Sequence, residues 1–261
     1  MVLLSFLMRV LFIGDICDKP GLVVMRDYLE EHRDSFDFII ANGENAAGGF
    51  GITRKHFSQM IAAGIDVVTL GNHAWDNREA LELVEETPRL LRPLNYPPGT
   101  PGLGYASFTA RTGERVTVAC AMGRIFMDPL DCPFRALDGL LETATGETVV
   151  VDFHAEATSE KKVMGYHLTG RVAAVVGTHT HVQTADEGIS GGTAYITDVG
   201  MTGAQDSAIG LRFEEVHYRF VTRLPKRYKP SEGPGTLHGV VLELSGNRAK
   251  SIERVQWQKG D

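Results

Sequence analysis

The sequence predicts an α/β fold in which two mixed β-sheets pack face to face with helices on their outer surfaces. Over the first ninety residues, apolar strand-like runs alternate with amphipathic helices in units of roughly 30 residues, the length of a βαβ crossover. The same alternation returns between residues 148 and 179, and strand-like runs separated by turns follow from Gly188 onward. This order of elements favours two sheets over a single open one.

The first part of the chain contains three predicted strands and three predicted helices. The strands are apolar runs at residues 9–14, 36–42 and 66–71. Pro20 suits the first turn of the first helix, because N–H groups in the first turn have no hydrogen-bond acceptor within the helix and proline lacks this group. Thr53 and Gly64 are suited to cap the two ends of the second helix, and Asn77 is suited to begin the third.

After Arg89 the sequence becomes rich in proline and glycine, and residues 94–104 cannot continue regular structure. Residues 124–135 are expected to form a loop that leads into a helix at 136–143, and a further helix is expected at about 159–168. The remaining strands are predicted at residues 105–111, 114–121, 148–154, 171–179, 194–200, 217–224, 236–244 and 251–258. We find no internal repeat and no linker, so residues 1–261 are expected to form a single domain, with Met1–Leu7 as an N-terminal extension or a misassigned start.

Composition limits the partners of this chain. It is 43% apolar and 23% charged, as in an ordinary globular protein with a large core. The net charge of −7 argues against a surface that coats long nucleic acids, but a small anionic substrate is compatible with bound cations. Self-association into a homo-oligomer remains open.

Two further observations indicate a cytoplasmic protein without a membrane segment. The apolar start of the chain lacks a basic region and a cleavage signature, and it is far shorter than the ~20 residues that span a bilayer. Cys17, Cys120 and Cys132 form neither a paired framework nor a CxxC motif, which suits a reducing compartment.

Oxygen and nitrogen ligands for a pair of metal ions follow the apolar runs in five short clusters. In an open α/β sheet the carboxyl ends of the strands meet in one crevice, so side chains placed just after successive strands become neighbours. A hydrolytic metal centre is therefore the first hypothesis. Its candidate ligands are Asp15, Glu44, Asn45, Asn72, His154, His179 and His181.

The ligand types suggest a role for each group. The carboxylate of Glu44 has two oxygens and can bridge ions about 3.5–4 Å apart. Imidazole ligands favour manganese or iron, with zinc as an alternative, over an all-oxygen magnesium or calcium site. If His179 and His181 lie on an extended strand, their rings share one side and each can reach a different ion. His73 is adjacent to a ligand and can act as a proton donor to the substrate.

Five motifs in this order, GD, GEN, GNH, FH and GTHTH, resemble those of the calcineurin-like metallophosphoesterases. The closest resemblance is to the bacterial YmdB-like phosphodiesterases, and it extends from about residue 9 to residue 255. Cys17 stands where the wider superfamily usually has a histidine, and Glu44 stands where it usually has an aspartate. These departures mark the branch and suggest that Asn45 completes the shell of the first ion.

The resemblance implies a four-layer αββα sandwich that hydrolyses cyclic nucleotides, and other phosphodiesters, with two metal ions per chain. It implies His73 as the catalytic histidine. Around one ion it implies Asp15, Glu44, Asn45 and His181. Around the other it implies Glu44, Asn72, His154 and His179.

Less specific interpretations remain beside these. A single His or Asn after a strand is usually a turn or cap residue, and Cys17 is expected to pack beside the site and not to bind metal. Asp152 and Glu156 can orient ligand imidazoles or can be solvated charges. A phosphomonoesterase or protein phosphatase would use the same ions and His73. A regulatory protein that senses a nucleotide with weak turnover is a further alternative.

Overall fold

The computed structural model describes residues 7–260; the expected extension Met1–Leu7 thus lies outside the described residues except for Leu7, which is exposed. Its strands are β1 (Met8–Ile13), β2 (Asp15–Ile16), β3 (Phe38–Asn42), β4 (Val67–Thr69), β5 (Leu90–Leu91), β6 (Tyr105–Thr109), β7 (Arg115–Met122), β8 (Thr148–His154), β9 (Ala174–Thr178), β10 (Gly188–Ser190), β11 (Thr193–Ile196), β12 (Met201–Ala204), β13 (Gly235–Leu244) and β14 (Ala249–Trp257). Its helices are α1 (Asp18–His32), α2 (Arg54–Ala62), α3 (Glu79–Glu86), α4 (Pro133–Thr143), α5 (Thr158–Leu168) and α6 (Phe213–Thr222).

The strands form two mixed sheets. The first has the order β2-β12-β13-β1-β3-β4-β5, and β14 also pairs with β13. The second has the order β10-β11-β9-β8-β7-β6. In the first sheet β1, β3, β4 and β5 run parallel, whereas β13 is antiparallel to β1. In the second sheet β7, β8, β9 and β11 run parallel, with β6 and β10 antiparallel at the edges.

Three apolar cores hold the layers together. The central core lies between the sheets, where Phe12 and Phe38 of the first sheet join Val150 and Val176 of the second. A second core packs α1, α2 and α3 on the outside of the first sheet, and a third packs α4 and α5 on the outside of the second. Full burial of each such side chain stabilises the fold by about 1.5–3 kcal/mol. The layers are therefore helix, sheet, sheet and helix, which confirms the αββα sandwich.

The two sheets present the carboxyl ends of their parallel strands at a common edge. In the first sheet the register pairs Ile13 with Ala41, so β1 and β3 end side by side. In the second sheet His154 at the end of β8 pairs with Thr178 at the end of β9. Residues that directly follow these strands are thereby brought into one region.

The predicted caps of α2 are confirmed. The hydroxyl of Thr53 accepts a hydrogen bond from the main-chain N–H of His56. The N-cap position of α3 is Arg78, one residue after the predicted Asn77, whose amide oxygen accepts from the N–H of Glu79. Gly64 follows α2 with φ of +104°, a conformation that favours glycine.

One element was predicted wrongly. Residues 217–224 were expected to form a strand, but most of them belong to α6, which begins upstream at Phe213. This segment is rich in aromatic and β-branched residues, which are typical of strands, whereas the helix exposes Phe220 and Val221, each at 68%. Across residues 7–260, no helix combines the length and the apolar character that crossing a bilayer requires.

Candidate metal centre and active site

The seven predicted ligands come together where the two sheets meet at their carboxyl ends. Asp15, Glu44, Asn45 and His154 are almost fully buried, while the other three are partly exposed. A cleft of about 260 Å³ opens onto this cluster. Its lining includes Glu44, Asn45, His73, His179, His181 and Phe50.

Ligand atoms converge on one nitrogen of His154. Its Nε2 lies 2.9 Å from Asn72 Oδ1, 3.0 Å from Glu44 Oε1 and 3.1 Å from His179 Nδ1. A single ring nitrogen carries at most one proton and cannot satisfy three polar neighbours at once. Two imidazole nitrogens, a carboxylate and an amide oxygen around one point are suited to a transition-metal ion or zinc.

The remaining predicted ligands are Asp15, Asn45 and His181. One oxygen of Asp15, Oδ2, accepts a hydrogen bond of 3.2 Å from the main-chain N–H of His179. Its other oxygen, Oδ1, lies 3.9 Å from Nε2 of His181. Asn45 donates from Nδ2 to the carbonyl of Gly49 at 2.9 Å.

Two buried oxygens of this second group lack hydrogen-bond partners among the described residues. They are Oδ1 of Asp15 and Oδ1 of Asn45. An unsatisfied buried polar atom costs roughly 1–3 kcal/mol, so native structures rarely retain one without a ligand, ion or water. A cation bound at either residue would satisfy its unpaired oxygen, and the oxygen and nitrogen donors present here therefore fit divalent metal ions.

Burial controls the charges of the cluster. It raises the pKa of Asp15 to about 6, although His181 and His154 oppose the shift. Burial also disfavours the charged form of Glu44, but the charge and the hydrogen bond of His154 lower that pKa to about 2. Burial, together with His154, lowers the pKa of His179 to about 3. Burial also opposes the charged form of His154, but Glu44 and Asp15 outweigh it and raise that pKa to about 9, so one ring of the pair is charged and the other neutral.

Buried groups next to His154 determine which of its ring nitrogens carries a proton. The hydroxyl of Thr178 donates to Asp152 at 2.6 Å, so it must accept from Nδ1 of His154 at 2.9 Å. Nδ1 therefore carries a proton, and a cation bound at Nε2 would replace only the Nε2 proton. Because Asp152 is fully buried, it is not a solvated charge, which was the alternative interpretation of this residue.

Gly71 has space for no side chain. A Cβ atom at this position would lie 2.3 Å from Nε2 of His154 and 2.5 Å from Oε2 of Glu44. The glycine that precedes Asn72 thus lets the main chain approach the ligand cluster closely.

His73 stands at the cleft outside the point of convergence. Its main-chain N–H donates to Oε2 of Glu44 at 2.9 Å, and its Nδ1 lies 2.7 Å from Oδ2 of Asp76. Hydrogen bonding to Asp76 leaves Nε2 as the ring nitrogen that can reach a ligand. The role of Asp76 was not predicted, although an aspartate three residues after the histidine is a signal for such a pair.

The expected extended conformation of the HxH tripeptide is wrong. β9 ends at Thr178, and His179 and His181 have φ of +99° and +64°. Hydrogen bonds from distant residues hold this conformation: Asp15 accepts from the N–H of His179, and the carbonyl of Ile209 accepts from Nδ1 of His181 at 3.0 Å. The two rings nevertheless contact different parts of the cluster.

A buried ion pair that the sequence did not indicate supports this loop. Nζ of Lys161 donates to Oδ2 of Asp198 and to the carbonyl of Thr178, each at 2.6 Å. Asp198 also accepts the main-chain N–H of Thr180 at 3.0 Å. Lys161 ends the run VDFHAEATSEK that contains His154, but nothing in the sequence indicates Asp198 as its partner, so only the fold reveals the pair.

The other residues weighed from the sequence lie at the edge of the cluster. Cys17 is buried and lines the cleft, and burial raises the pKa of its thiol to about 12, which keeps it protonated. Oε2 of Glu156 lies 3.1 Å from Nε2 of His179, with about half of the Glu156 side chain exposed. Glu156 can therefore orient this ring from the solvent side.

Comparisons with known proteins give concordant results. A sequence model described as YmdB-like protein matches residues 11–255. The chain is 45% identical over 251 residues to a 2′,3′-cyclic-nucleotide 2′-phosphodiesterase of Bacillus subtilis (strain 168), covering 94% of this chain and 95% of that protein. Among crystal structures, a hypothetical protein from Thermus thermophilus has a TM-score of 0.93 and 48% identity, covering 96% of this chain and 99% of that one. A novel phosphatase from Mycoplasma pneumoniae has a TM-score of 0.92 and 30% identity, covering 97% and 94%.

Proposed function

This chain belongs to the YmdB-like protein family of phosphoesterases, and on that premise we propose that it uses two metal ions to hydrolyse 2′,3′-cyclic nucleotides to nucleoside 3′-monophosphates. The observation that supports this most directly is the convergence of Glu44, Asn72 and His179 on His154, beside two unsatisfied buried oxygens. The identity of the substrate comes from the Bacillus subtilis relative.

The protein residues divide the work between binding and proton transfer. We assign Asp15, Asn45 and His181 to one ion, Asn72, His154 and His179 to the other, and Glu44 to both. When bound, such ions activate water and neutralise the charge that develops at phosphorus. Iron or manganese fits this mixture of imidazole and oxygen ligands better than magnesium or calcium.

His73 completes the reaction. Water adds to phosphorus, the bond from phosphorus to the 2′ oxygen breaks, and the leaving oxygen must take up one proton. We assign that proton to Nε2 of His73, because Nδ1 is held by Asp76 and the ring lines the cleft. The monophosphate remains attached to the 3′ oxygen of the same nucleoside.

A cytoplasmic location is part of this proposal. The three cysteines are free in the folded chain, and two of them are buried, as expected of a protein that works under reducing conditions.

The test is a turnover panel on protein that has been stripped of metal and then reconstituted with iron, manganese, magnesium or calcium. Substrates are 2′,3′- and 3′,5′-cyclic AMP, mononucleotides and a phosphopeptide. In ¹⁸O water we expect a 3′-monophosphate with a single solvent oxygen, formed best with iron or manganese. The Mycoplasma pneumoniae relative is named a phosphatase. Free phosphate from monoesters, with both cyclic substrates intact, would therefore assign the chain to that class.

A further inference from the structure

The cleft has an apolar part beside the metal-binding residues. Phe50, Ile209 and Leu211 line it together with Glu44 and His73. None of these three side chains can bind a metal ion or transfer a proton. Ile209 is 52% exposed, so this apolar surface faces the open cleft and is not part of a core. Small-molecule sites commonly pair such a surface with a few polar groups that fix the orientation of the ligand.

Phe50 is held at the cleft by a closed turn. Its main-chain N–H donates to the carbonyl of Ala47 at 3.3 Å, and the N–H of Ala47 donates to the carbonyl of Gly51 at 3.0 Å. Gly49 and Gly51 have φ of +87° and +75°, and the candidate ligand Asn45 holds the carbonyl of Gly49. The turn that carries the aromatic ring is therefore attached to the ligand cluster itself.

The ring of Phe50 contacts the proposed proton donor. Its centroid lies 5.0 Å from that of His73, and the two planes are inclined by 77°. A ligand whose phosphorus and leaving oxygen are within reach of His73 thus has its remaining atoms within reach of Phe50. In a cyclic nucleotide those remaining atoms are the ribose and the base.

Ile209 has a strained main-chain conformation at the cleft. Its φ is +51°, which is unfavourable for a β-branched residue, and its carbonyl accepts a hydrogen bond from His181. The carbonyl of Ile209 therefore orients the proposed ligand His181, while the side chain of Ile209 remains exposed to the cleft.

We propose that Phe50, with Ile209 and Leu211, forms a nucleobase subsite in which the base lies against the phenyl ring. The proposal rests on the proposed function. Aromatic stacking tolerates every base because each has a π-face. An apolar wall accordingly favours substrates that have a base over those that lack one, and it discriminates little between adenine, guanine, cytosine and uracil.

The test compares substrates with and without a base. Wild type, Phe50→Ala, Phe50→Leu and Phe50→Tyr are assayed, fully metal-loaded, on 2′,3′-cyclic AMP and on glycerol 1,2-cyclic phosphate, which has the same five-membered ring but no nucleoside. We expect Phe50→Ala to lower kcat/KM for the nucleotide by about 5- to 150-fold, mainly through KM, and to change the glycerol ester by less than threefold. Phe50→Tyr should restore the preference, and Phe50→Leu should restore it only in part.

Other outcomes overturn the subsite. Equal losses on both substrates would make Phe50 a positioning residue for His73, and a wild type that hydrolyses both esters equally well would leave no base preference to explain. The matched control is Phe220→Ala on the exposed face of α6. If the wild type cleaves neither ester, the proposed function fails. The subsite is then decided by calorimetry: adenosine 3′-monophosphate must bind wild type more tightly than Phe50→Ala does, whereas glycerol phosphate must not.

Discussion

Glu44 contacts His154 with one carboxylate oxygen and His73 with the other, and under the proposed assignment its loss should affect both ions. Oε1 faces His154, while the opposite oxygen accepts from the main chain of His73. We predict that Glu44→Ala lowers the occupancy of both metal positions, whereas His181→Ala chiefly lowers one. Metal analysis of the purified variants checks this, with circular dichroism to confirm folding. A full pair of ions in Glu44→Ala would exclude the shared position.

His73 should matter for turnover but not for metal binding. It lines the cleft, its Nδ1 is held by Asp76, and it lies outside the convergence on His154. We predict that His73→Ala retains its metals but loses about 10²–10⁴ in kcat, the range of general acid or base groups. Initial rates measured alongside metal content provide the check. Near-normal rates in the metal-replete variant would leave His73 a structural role only.

Sequence predicted the identity of the clustered residues better than their local conformation. The strand ends brought Asp15, Glu44 and His154 together as expected, because parallel strands end at one edge. The positive φ of His179 and His181 could not be predicted, since it is held by contacts with residues that are distant in sequence. Such local strain costs on the order of 1–3 kcal/mol and persists only where the surroundings impose it.

At the scale of elements, α5 anchors the loop after β9 through one buried lysine. Lys161 is 1% exposed and pairs with the fully buried Asp198, whereas the adjacent Lys162 pairs with Asp186 on the surface with half of its side chain exposed. Removing one partner of a buried pair leaves the other charge uncompensated and costs about 3–5 kcal/mol, while an exposed pair contributes about 0–1 kcal/mol.

We therefore predict that Lys161→Met lowers the free energy of unfolding by about 3–5 kcal/mol, and that Lys162→Met lowers it by no more than about 1 kcal/mol. Urea denaturation followed by circular dichroism measures both. Similar losses in the two variants would mean that the burial of Lys161 has no energetic consequence.

The helix α6 shows where residue composition fails as a predictor of secondary structure. Tyr218, Phe220 and Val221 are aromatic or β-branched residues, which are enriched in strands, so a strand was expected. In the fold, Glu215 is the only residue of this helix that is buried, so no core imposes an apolar stripe of helical period. Apolar patterns predict an element correctly where that element is packed: every residue of β8 is buried, and so are most residues of β13.

At the scale of the molecule, the first described residue, Leu7, is exposed, whereas Met8 is fully buried at the start of β1. We predict that a chain beginning at Met8 keeps its melting temperature and its activity, because β1 and Asp15 both lie beyond the deletion. Thermal unfolding and cyclic nucleotide turnover of the shortened protein test this. A large fall in melting temperature would show that the removed residues pack on the domain.

The pairing of β1 with β13 fixes when the protein can become active during its synthesis. Met8 pairs with Leu244, and the N–H of Gly14, next to the candidate ligand Asp15, donates to the carbonyl of His238. The first strand to be synthesised, β1, therefore cannot form this pairing until β13, the next-to-last strand, has been synthesised. A topology with contacts so distant in sequence folds slowly. Until β13 leaves the exit tunnel, β1 presents an open edge to other chains, so nascent chains stalled before residue 235 should aggregate.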